Sequence, residues 1–164
     1  IGVANDFRRI GLIRNPTNFG TSTVASADTR RQLYAAIFSS VSGTFTADEE
    51  INQASTGAVG KVVEYDSTNK ILYYYQTRFP DVGTDSNGNQ TAFSGANAIT
   101  GQSSSASATP DTSNSTTTNG AVFVSGYSNP ELAFDSGDII YVEERSPITR
   151  ASDQTENIKL IIEF

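Results

Sequence analysis

The strongest structural signal in this sequence is a short polar turn between two runs rich in β-branched and aromatic residues. The first run is 61–66 and the second is 70–78, with Ser67, Thr68 and Asn69 between them. Runs of this kind on either side of a tight turn are typical of a β-hairpin. The other polar residues are mostly Ser, Thr, Asn and Gly, which favour strands and turns over helices.

Residues 27–40 form the one segment whose pattern favours a helix. Leu33 and Ile37 fall in one row of a helical surface, and Tyr34 and Phe38 fall in the next. This spacing predicts one short amphipathic helix that packs on a sheet. The predicted fold is therefore mainly β, sandwich-like or barrel-like, with this helix laid against it.

Both ends of the chain also favour strands. Residues 6–14 form a strand candidate that Pro16 ends, because proline cannot donate to a strand ladder. A second pair of strands is predicted at 138–144 and 157–164. The last strand has one apolar face, made by Ile158, Leu160, Ile162 and Phe164.

A faint internal repeat flanks the predicted hairpin. Phe45 precedes Ile51 by the same spacing with which Phe93 precedes Ile99. This predicts a duplicated strand-turn-strand unit that closes a small sheet. Residues 102–119, rich in Ser, Thr, Ala and Asn, are predicted to be a long loop or linker, or to contain an edge strand that the composition hides.

The composition limits the chemistry that is open to the chain. The net charge is −7, and the sequence contains neither Cys nor His. An acidic chain lacks the basic face that nucleic acid or an anionic membrane surface requires. The commonest general base and the soft zinc ligands are absent from the sequence. We therefore predict no catalytic residue, no cofactor, no metal, no nucleic acid and no membrane partner.

Three acidic motifs in the sequence bear on this prediction. Glu49-Glu50 and Glu143-Glu144 are adjacent pairs, and neighbours on a strand point to opposite faces, so neither pair forms a glycosidase site by itself. Asp85-Ser-Asn87-Gly-Asn89 resembles part of a calcium loop. Its spacing does not fit an EF-hand, and a solvated turn is the competing interpretation.

Tyr73, Tyr74 and Tyr75 are the aromatic candidates for a contact surface. Three consecutive residues on a strand cannot all face the core, so at least one is expected to point outward. They could stack on a sugar or a partner, or cover an edge between domains. A stand-alone carbohydrate-binding or receptor-binding β module is therefore the alternative function.

Two blocks of sequence carry a resemblance to a known family. The first is Phe7-Arg8 through Ile13, Asn15 and Pro16. The second runs from Asn129-Pro-Glu-Leu through Ser136-Gly-Asp, Arg145-x-Pro-Ile and Asp153-Gln-Thr-Glu to Phe164. They resemble the baseplate wedge subunit encoded by gene eight in T-even-like bacteriophages. The resemblance implies a non-enzymatic, mostly β structural protein of the tail baseplate, assembled in the host cytoplasm.

The resemblance also implies a domain organisation and partners. Residues 1–43 and 121–164 would form a split wedge-type domain, and residues 44–120 an inserted β lobe. The implied partners are other baseplate wedge proteins and a second copy in a homodimer. The chain begins with Ile1 rather than Met, so we expect a piece of a longer protein.

The connection before the last predicted strand supplies the remaining candidates. Arg145 lies among acidic neighbours and is predicted to clamp this connection, with an exposed, weakly paired arginine as the alternative. The interface or structural candidates are Arg145, Pro147, Asp153, Gln154, Glu156, Tyr73, Tyr74 and Tyr75.

Overall fold

The computed structural model describes residues 8–26, 31–76, 82–133 and 136–145, and these residues form strands joined by turns. The strands are β1 (Arg8–Arg14), β2 (Tyr34–Ser42), β3 (Glu50–Gln53), β4 (Ala58–Asp66), β5 (Ile71–Tyr75), β6 (Ile99–Gly101), β7 (Ser107–Pro110), β8 (Thr117–Thr118), β9 (Ala121–Val122), β10 (Tyr127–Ser128) and β11 (Asp138–Arg145). The chain divides into unit 1, Ile1–Pro16 with Gly137–Phe164, and unit 2, Thr17–Ser136. The predicted β class is confirmed.

Unit 2 is built on a sheet that closes on itself. Six strands pair in the order β2-β5-β4-β3-β6-β7, and β7 pairs back with β2 to complete a ring. Every pairing in the ring is antiparallel. Because each ring strand has a neighbour on both sides, closure removes the unpaired edges that invite association with other strands.

The interior of this closed sheet holds one apolar cluster. It consists of Ala36, Phe38, Phe45, Ile51, Ala58, Val62, Leu72, Tyr74, Phe93, Ile99, Ala106 and Ala108. Phe38 stacks on Phe45 with ring centroids 6.0 Å apart, and Tyr74 meets Phe93 edge to face at 4.9 Å. Each such ring pair stabilises the fold by about 0.5–1.5 kcal/mol beyond the area it buries.

The hairpin predicted from the sequence is confirmed. β4 and β5 pair antiparallel, from Lys61 opposite Tyr75 to Asp66 opposite Ile71. The Oδ1 atom of Asp66 accepts the N–H of Thr68 at 2.9 Å, which begins the turn. An aspartate at this position stabilises a turn because its side chain replaces a backbone acceptor.

The predicted helix over residues 27–40 is wrong. Residues 34–42 form β2, residues 31–33 are irregular, and residues 27–30 lie outside the described residues. The described part of this segment therefore contains a nine-residue strand where the apolar spacing predicted a helix.

The cause of this error is that β2 is buried on both faces. Ala36 and Phe38 belong to the interior cluster, whereas Ala35 and Ile37 lie in a second cluster on the outer side of the sheet. The second cluster consists of Ala35, Ile37, Ile71, Ala121 and Phe123. A strand covered on both faces carries a continuous apolar run, which periodicity alone cannot distinguish from a helix.

The internal repeat in the sequence corresponds to two equivalent hairpins. β3 pairs with β4, β6 pairs with β7, and the two hairpins join through the β3–β6 pairing. Phe45 and Phe93 are both 5% exposed, and Ile51 and Ile99 are both fully buried. The same spacing relates the buried pair Ala58 and Ala106. The prediction of a duplicated unit that closes a small sheet is confirmed.

The stretch 102–119 is not one long loop. It contains β7 and β8, and β7 completes the closed sheet by pairing with both β6 and β2. Ala106, Ala108 and Pro110 are buried. The composition did not indicate a buried strand here, because alanine and proline can fill a crowded interior while the alternate Ser and Thr side chains point outward.

Unit 1 contains an antiparallel pair in its described part. β1 runs beside β11, from Arg8 opposite Arg145 to Arg14 opposite Asp138, with an irregularity between Leu12 and Ile13. The N-terminal strand is therefore confirmed, and it pairs with the first of the two predicted C-terminal strands. The second, residues 157–164, lies outside the described residues.

The two units divide at different positions from the predicted domains. The prediction placed boundaries after residues 43 and 120, whereas the units divide after residues 16 and 136. Within the described residues, β2 pairs with β5, β7 and β10, and all four strands belong to unit 2. Strand pairing between residues distant in sequence sets the limits of the units. The domain organisation implied by the resemblance stays a prediction.

Candidate functional site

The three consecutive tyrosines of β5 occupy three different environments. Tyr74 is 2% exposed in the interior cluster, Tyr73 is half-buried against the outer cluster, and Tyr75 is 37% exposed. Burial raises the pKa of the Tyr74 hydroxyl, and the hydroxyls of Tyr127 and Tyr34 add to the rise. The Asn119 side chain donates to the Tyr73 hydroxyl at 3.3 Å.

These positions do not make one aromatic platform. Tyr74 stacks on Tyr34 inside the sheet, with ring centroids 5.7 Å apart, so its face is not open to a ligand. Of the three rings, only Tyr75 presents more than a third of its surface to solvent. The arrangement therefore does not favour the glycan-binding alternative, which needs adjacent exposed rings.

Glu49 is the most strongly held carboxylate in the described part of the chain. It is 5% exposed, and its oxygens accept the N–H of Thr46 at 2.7 Å, of Ser103 at 3.1 Å and of Ser104 at 2.9 Å. The Ser104 hydroxyl donates a fourth hydrogen bond at 2.8 Å. Burial would raise the pKa of Glu49, but these hydrogen bonds outweigh it and lower the pKa. The carboxylate ties the start of β3 to the turn after β6.

Gln53 forms a second buried polar centre, which sequence analysis did not identify. It is fully buried, and its Oε1 accepts the N–H of Ser94 and the hydroxyl of Thr56, both at 2.9 Å. Its Nε2 donates to the carbonyl of Asn97 at 2.8 Å and to the hydroxyl of Tyr127 at 3.3 Å. A single glutamine in a strand gives no sequence signal of such a role, because three of its four partners, Ser94, Asn97 and Tyr127, lie 41 to 74 positions away.

We expect Gln53→Leu to lower the free energy of unfolding by about 2–3 kcal/mol, because the four hydrogen bonds of a fully buried side chain would be lost. Urea denaturation followed by circular dichroism measures this loss. Asn52→Ala on the same strand is the control and should cost less than about 1 kcal/mol. Equal losses for the two variants would contradict the role given to Gln53.

The side chain of Asp85 stabilises the turn in which it lies. Its Oδ1 accepts the N–H of Asn87 and the N–H of Asn89, both at 2.8 Å. These backbone hydrogen bonds, that of Asn89 first, lower the pKa of Asp85. The side chain therefore acts as a turn-forming acceptor, the competing interpretation in the sequence analysis.

Arg31 anchors the segment that leads into β2. Its guanidinium donates to the Ser128 hydroxyl and to the Asn129 carbonyl, both at 2.8 Å, and also to the carbonyl of Leu33. Its backbone N–H donates to a carboxylate oxygen of Glu131 at 2.9 Å. Burial lowers the pKa of Arg31, and the charge of Glu131 opposes this effect.

An open groove of about 430 Å³ lies beside this anchor. It is lined by Arg31, Val122, Val124, Tyr127, Ser128, Asn129, Pro130 and Glu131. Val122 and Val124 are 61% and 68% exposed. The Arg31 guanidinium, which lines the groove, donates its hydrogen bonds to neutral oxygens of the protein.

The candidates from the C-terminal connection are mostly outside the described residues. The backbone of Arg145 ends β11 opposite Arg8, but its side chain is not among those described. Pro147, Asp153, Gln154 and Glu156 lie beyond the last described residue. The clamping role of Arg145 and the interface or structural role of the other four residues stay predictions.

The described residues show no metal-binding cluster of acidic side chains. They contain no group of three or more Asp or Glu side chains that could hold a metal ion. Within the same residues, no helix is long and apolar enough to cross a membrane. The best-held carboxylate, that of Glu49, is buried and bonded to the backbone N–H groups of Thr46 and Ser104.

Comparison with known protein families decides the relationship. Residues 70–164, more than half of the chain, match the family model Phage-Gp8, described as bacteriophage T4 Gp8. The chain belongs to this family. The Gp8 family gives it a structural role in a phage baseplate and confirms the resemblance seen in the sequence. No curated protein and no solved structure matches the chain.

The Gp8 match covers a different range from the two blocks of the resemblance. It includes the block that runs from residue 129 to the end, but not residues 7–16. It also begins directly before β5 and so includes residues 70–120, which the domain prediction assigned to an insertion. The second of the two equivalent hairpins, β6–β7, lies inside the matched range, whereas the first, β3–β4, lies before it.

Proposed function

We propose that this Gp8-family chain acts as a wedge subunit of a contractile-tail baseplate and works through protein–protein interfaces. The family match over residues 70–164 carries the proposal. A baseplate subunit needs a rigid body that keeps its shape under load, and the closed sheet of unit 2 supplies one.

The use of polar side chains in unit 2 supports a structural role. The side chains of Glu49, Gln53 and Asp85 form hydrogen bonds with the turns and strands around them. A catalytic acid or base would instead need to reach a substrate within hydrogen-bond distance. We therefore infer that the chain is not an enzyme and that its partners are other baseplate wedge proteins, in the virion tail assembled in the host cytoplasm. A homodimer is part of the same proposal.

The outer face of β4 and β5 is our candidate for one such interface. Val63 and Tyr75 lie on these neighbouring strands and are 40% and 37% exposed. Aromatic side chains with one open face are enriched at interfaces, because they bury a large area at a low cost in conformational entropy. This gives Tyr75 the partner-binding role that the sequence analysis considered for all three tyrosines.

Assembly in a phage that lacks the chain tests the proposal. We expect complementation with the double variant Val63→Asp and Tyr75→Asp to lower the yield of complete baseplates at least about tenfold, because charge in an interface core is unfavourable. Electron microscopy of purified tails and co-purification with neighbouring baseplate proteins measure this. Val124→Asp is the control, since it adds the same charge at an exposed valine outside this face.

Two results would count against different parts of this proposal. Purified virions without the chain would contradict the wedge function itself. Normal assembly with the double variant would leave the function standing but would exclude the β4–β5 face as an interface.

A further inference from the structure

The turn that Asp85 stabilises contains one of the two Asn-Gly pairs in the sequence. Asn87-Gly88 lies in this turn, and Asn119-Gly120 lies between β8 and β9. All four residues are exposed, and the two glycines have positive φ values of 78° and 77°. Glycine has no Cβ beside its backbone nitrogen, so this nitrogen is less hindered than in other residues for attack on a preceding side-chain carboxamide.

The carboxamide of Asn87 is open to solvent. Within the described residues it makes no hydrogen bond, and the contact of Asn87 with the Asp85 carboxylate uses its backbone N–H, at 2.8 Å. The Gly88 N–H donates to the Asp85 carbonyl at 3.0 Å. One exposed hydrogen bond must therefore open before the Gly88 nitrogen can approach the carboxamide, and water replaces such a bond at little cost.

The carboxamide of Asn119 is held by the neighbouring hairpin. Its Nδ2 donates to the Tyr73 hydroxyl at 3.3 Å and to the Asp66 carboxylate at 3.4 Å. Both partners belong to the β4–β5 hairpin. The carboxamide must leave both of them before it can turn toward the nitrogen of Gly120. The two Asn-Gly pairs therefore share one local chemistry and differ in how the tertiary structure holds the reacting side chain.

We propose that Asn87 is a site of spontaneous deamidation, and that its hydrogen bonds protect Asn119 from the same reaction. The backbone nitrogen of Gly88 forms a bond to Cγ of Asn87, and the bond from Cγ to Nδ2 breaks. The amide nitrogen leaves as ammonia and takes the proton of the Gly88 N–H, which gives a cyclic succinimide. Water then opens one of the two C–N bonds of the ring, and position 87 becomes aspartate or isoaspartate.

Both products weaken the turn in which they form. Aspartate at position 87 adds a negative charge close to the Asp85 carboxylate. Isoaspartate lengthens the backbone inside a turn that is closed by two hydrogen bonds between Asp85 and Asn89, both at 2.8 Å. The same loop is tied to the end of β5, because Gln76 Nε2 donates to the Thr91 carbonyl at 2.8 Å. An aged chain therefore carries a looser loop over residues 83–91.

Ageing the full chain in mildly alkaline buffer tests this assignment. Phe93 separates the two Asn-Gly pairs, so chymotryptic peptides report the conversion at each position by mass. We expect Asn87 to convert at least about fivefold faster than Asn119, a factor that two exposed hydrogen bonds to the second carboxamide supply. In concentrated urea the two rates should become similar, because the unfolded chain keeps only the local chemistry of the two pairs.

Tyr73→Phe is the variant that separates the two positions, because it removes one partner of the Asn119 carboxamide and keeps the ring. We expect conversion at Asn119 to become at least about twofold faster, with no change at Asn87. Equal rates at the two positions of the folded wild-type chain, faster conversion at Asn119, or no conversion at Asn87 would overturn the proposal. An unchanged rate at Asn119 in the variant would overturn its protection. Neither measurement uses the baseplate partners, so failure here leaves the proposed function untouched.

Discussion

Replacing Tyr74 by alanine is expected to lower the free energy of unfolding of unit 2 by about 3–5 kcal/mol, the usual cost of removing a buried aromatic ring. Tyr74 is 2% exposed, stacks on Tyr34 and meets Phe93 edge to face. Its removal would leave a cavity in the middle of the closed sheet, where surrounding strands cannot collapse inward without breaking their pairing. Thermal denaturation should show a fall in Tm on the order of 10 °C.

Tyr75 is the matched control for this experiment, because it is the next residue on the same strand and points outward. Tyr75→Ala is expected to cost less than about 1 kcal/mol, since the ring is more than a third exposed. Tyr74→Phe keeps the ring and should also cost less than about 1 kcal/mol, unlike the alanine variant. A large loss from Tyr75→Ala with little from Tyr74→Ala would contradict the facing of β5.

Replacing Glu49 is expected to have the next largest effect. Glu49→Ala removes the acceptor of four hydrogen bonds and leaves the N–H groups of Thr46, Ser103 and Ser104 without a partner. Hydrogen bonds to a charged group each stabilise a fold by about 1.5–3 kcal/mol, and water can replace part of this. We expect a loss of about 3 kcal/mol, measured by urea denaturation at neutral pH.

The pH dependence of the free energy of unfolding tests whether the charged form of Glu49 stabilises the fold. The folded state lowers the pKa of Glu49, so the charged form stabilises the fold at pH values above the unfolded pKa of about 4.3. This contribution disappears as the pH falls through the lower pKa of the folded state. The difference in unfolding free energy between the wild-type chain and Glu49→Gln should therefore narrow on acidification below about pH 4.

Two further variants separate this role from a general effect of charge. Glu50→Gln changes the neighbouring, exposed carboxylate and should alter stability by less than about 0.5 kcal/mol. Gly101→Ala disturbs the Glu49 carboxylate without replacing it, because a Cβ at position 101 would lie 2.6 Å from a carboxylate oxygen of Glu49. It should destabilise the chain and flatten the same acid dependence. An unchanged acid profile in Glu49→Gln would contradict the role of the carboxylate.

For Glu49 and Glu50, the sequence predicts the facing of the side chains but not their hydrogen-bond partners. Strand alternation predicted that the two carboxylates point apart, and they do: one is buried and the other exposed. Nothing near Glu49 in sequence predicted its partners in the turn after β6, because Ser103 and Ser104 come from the other hairpin. The interpretation of Glu49 and Glu50 as separate groups is confirmed, whereas the Glu144 side chain lies outside the described ones, so the same interpretation of Glu143 and Glu144 stays a prediction. The stabilising role of Glu49 emerged from the fold.

By itself, the sequence determined the β class, the β4–β5 hairpin, the repeated unit with Phe45 and Phe93, and the relationship to Gp8. Each of these rests on local alternation, on turn chemistry or on specific residue blocks, which act within a short stretch of chain. Only the tertiary structure decided that β2 is a strand, that β7 closes the sheet and that Gln53 is a buried centre. Those outcomes depend on what lies against both faces of a segment, and such contacts join residues that are far apart along the chain.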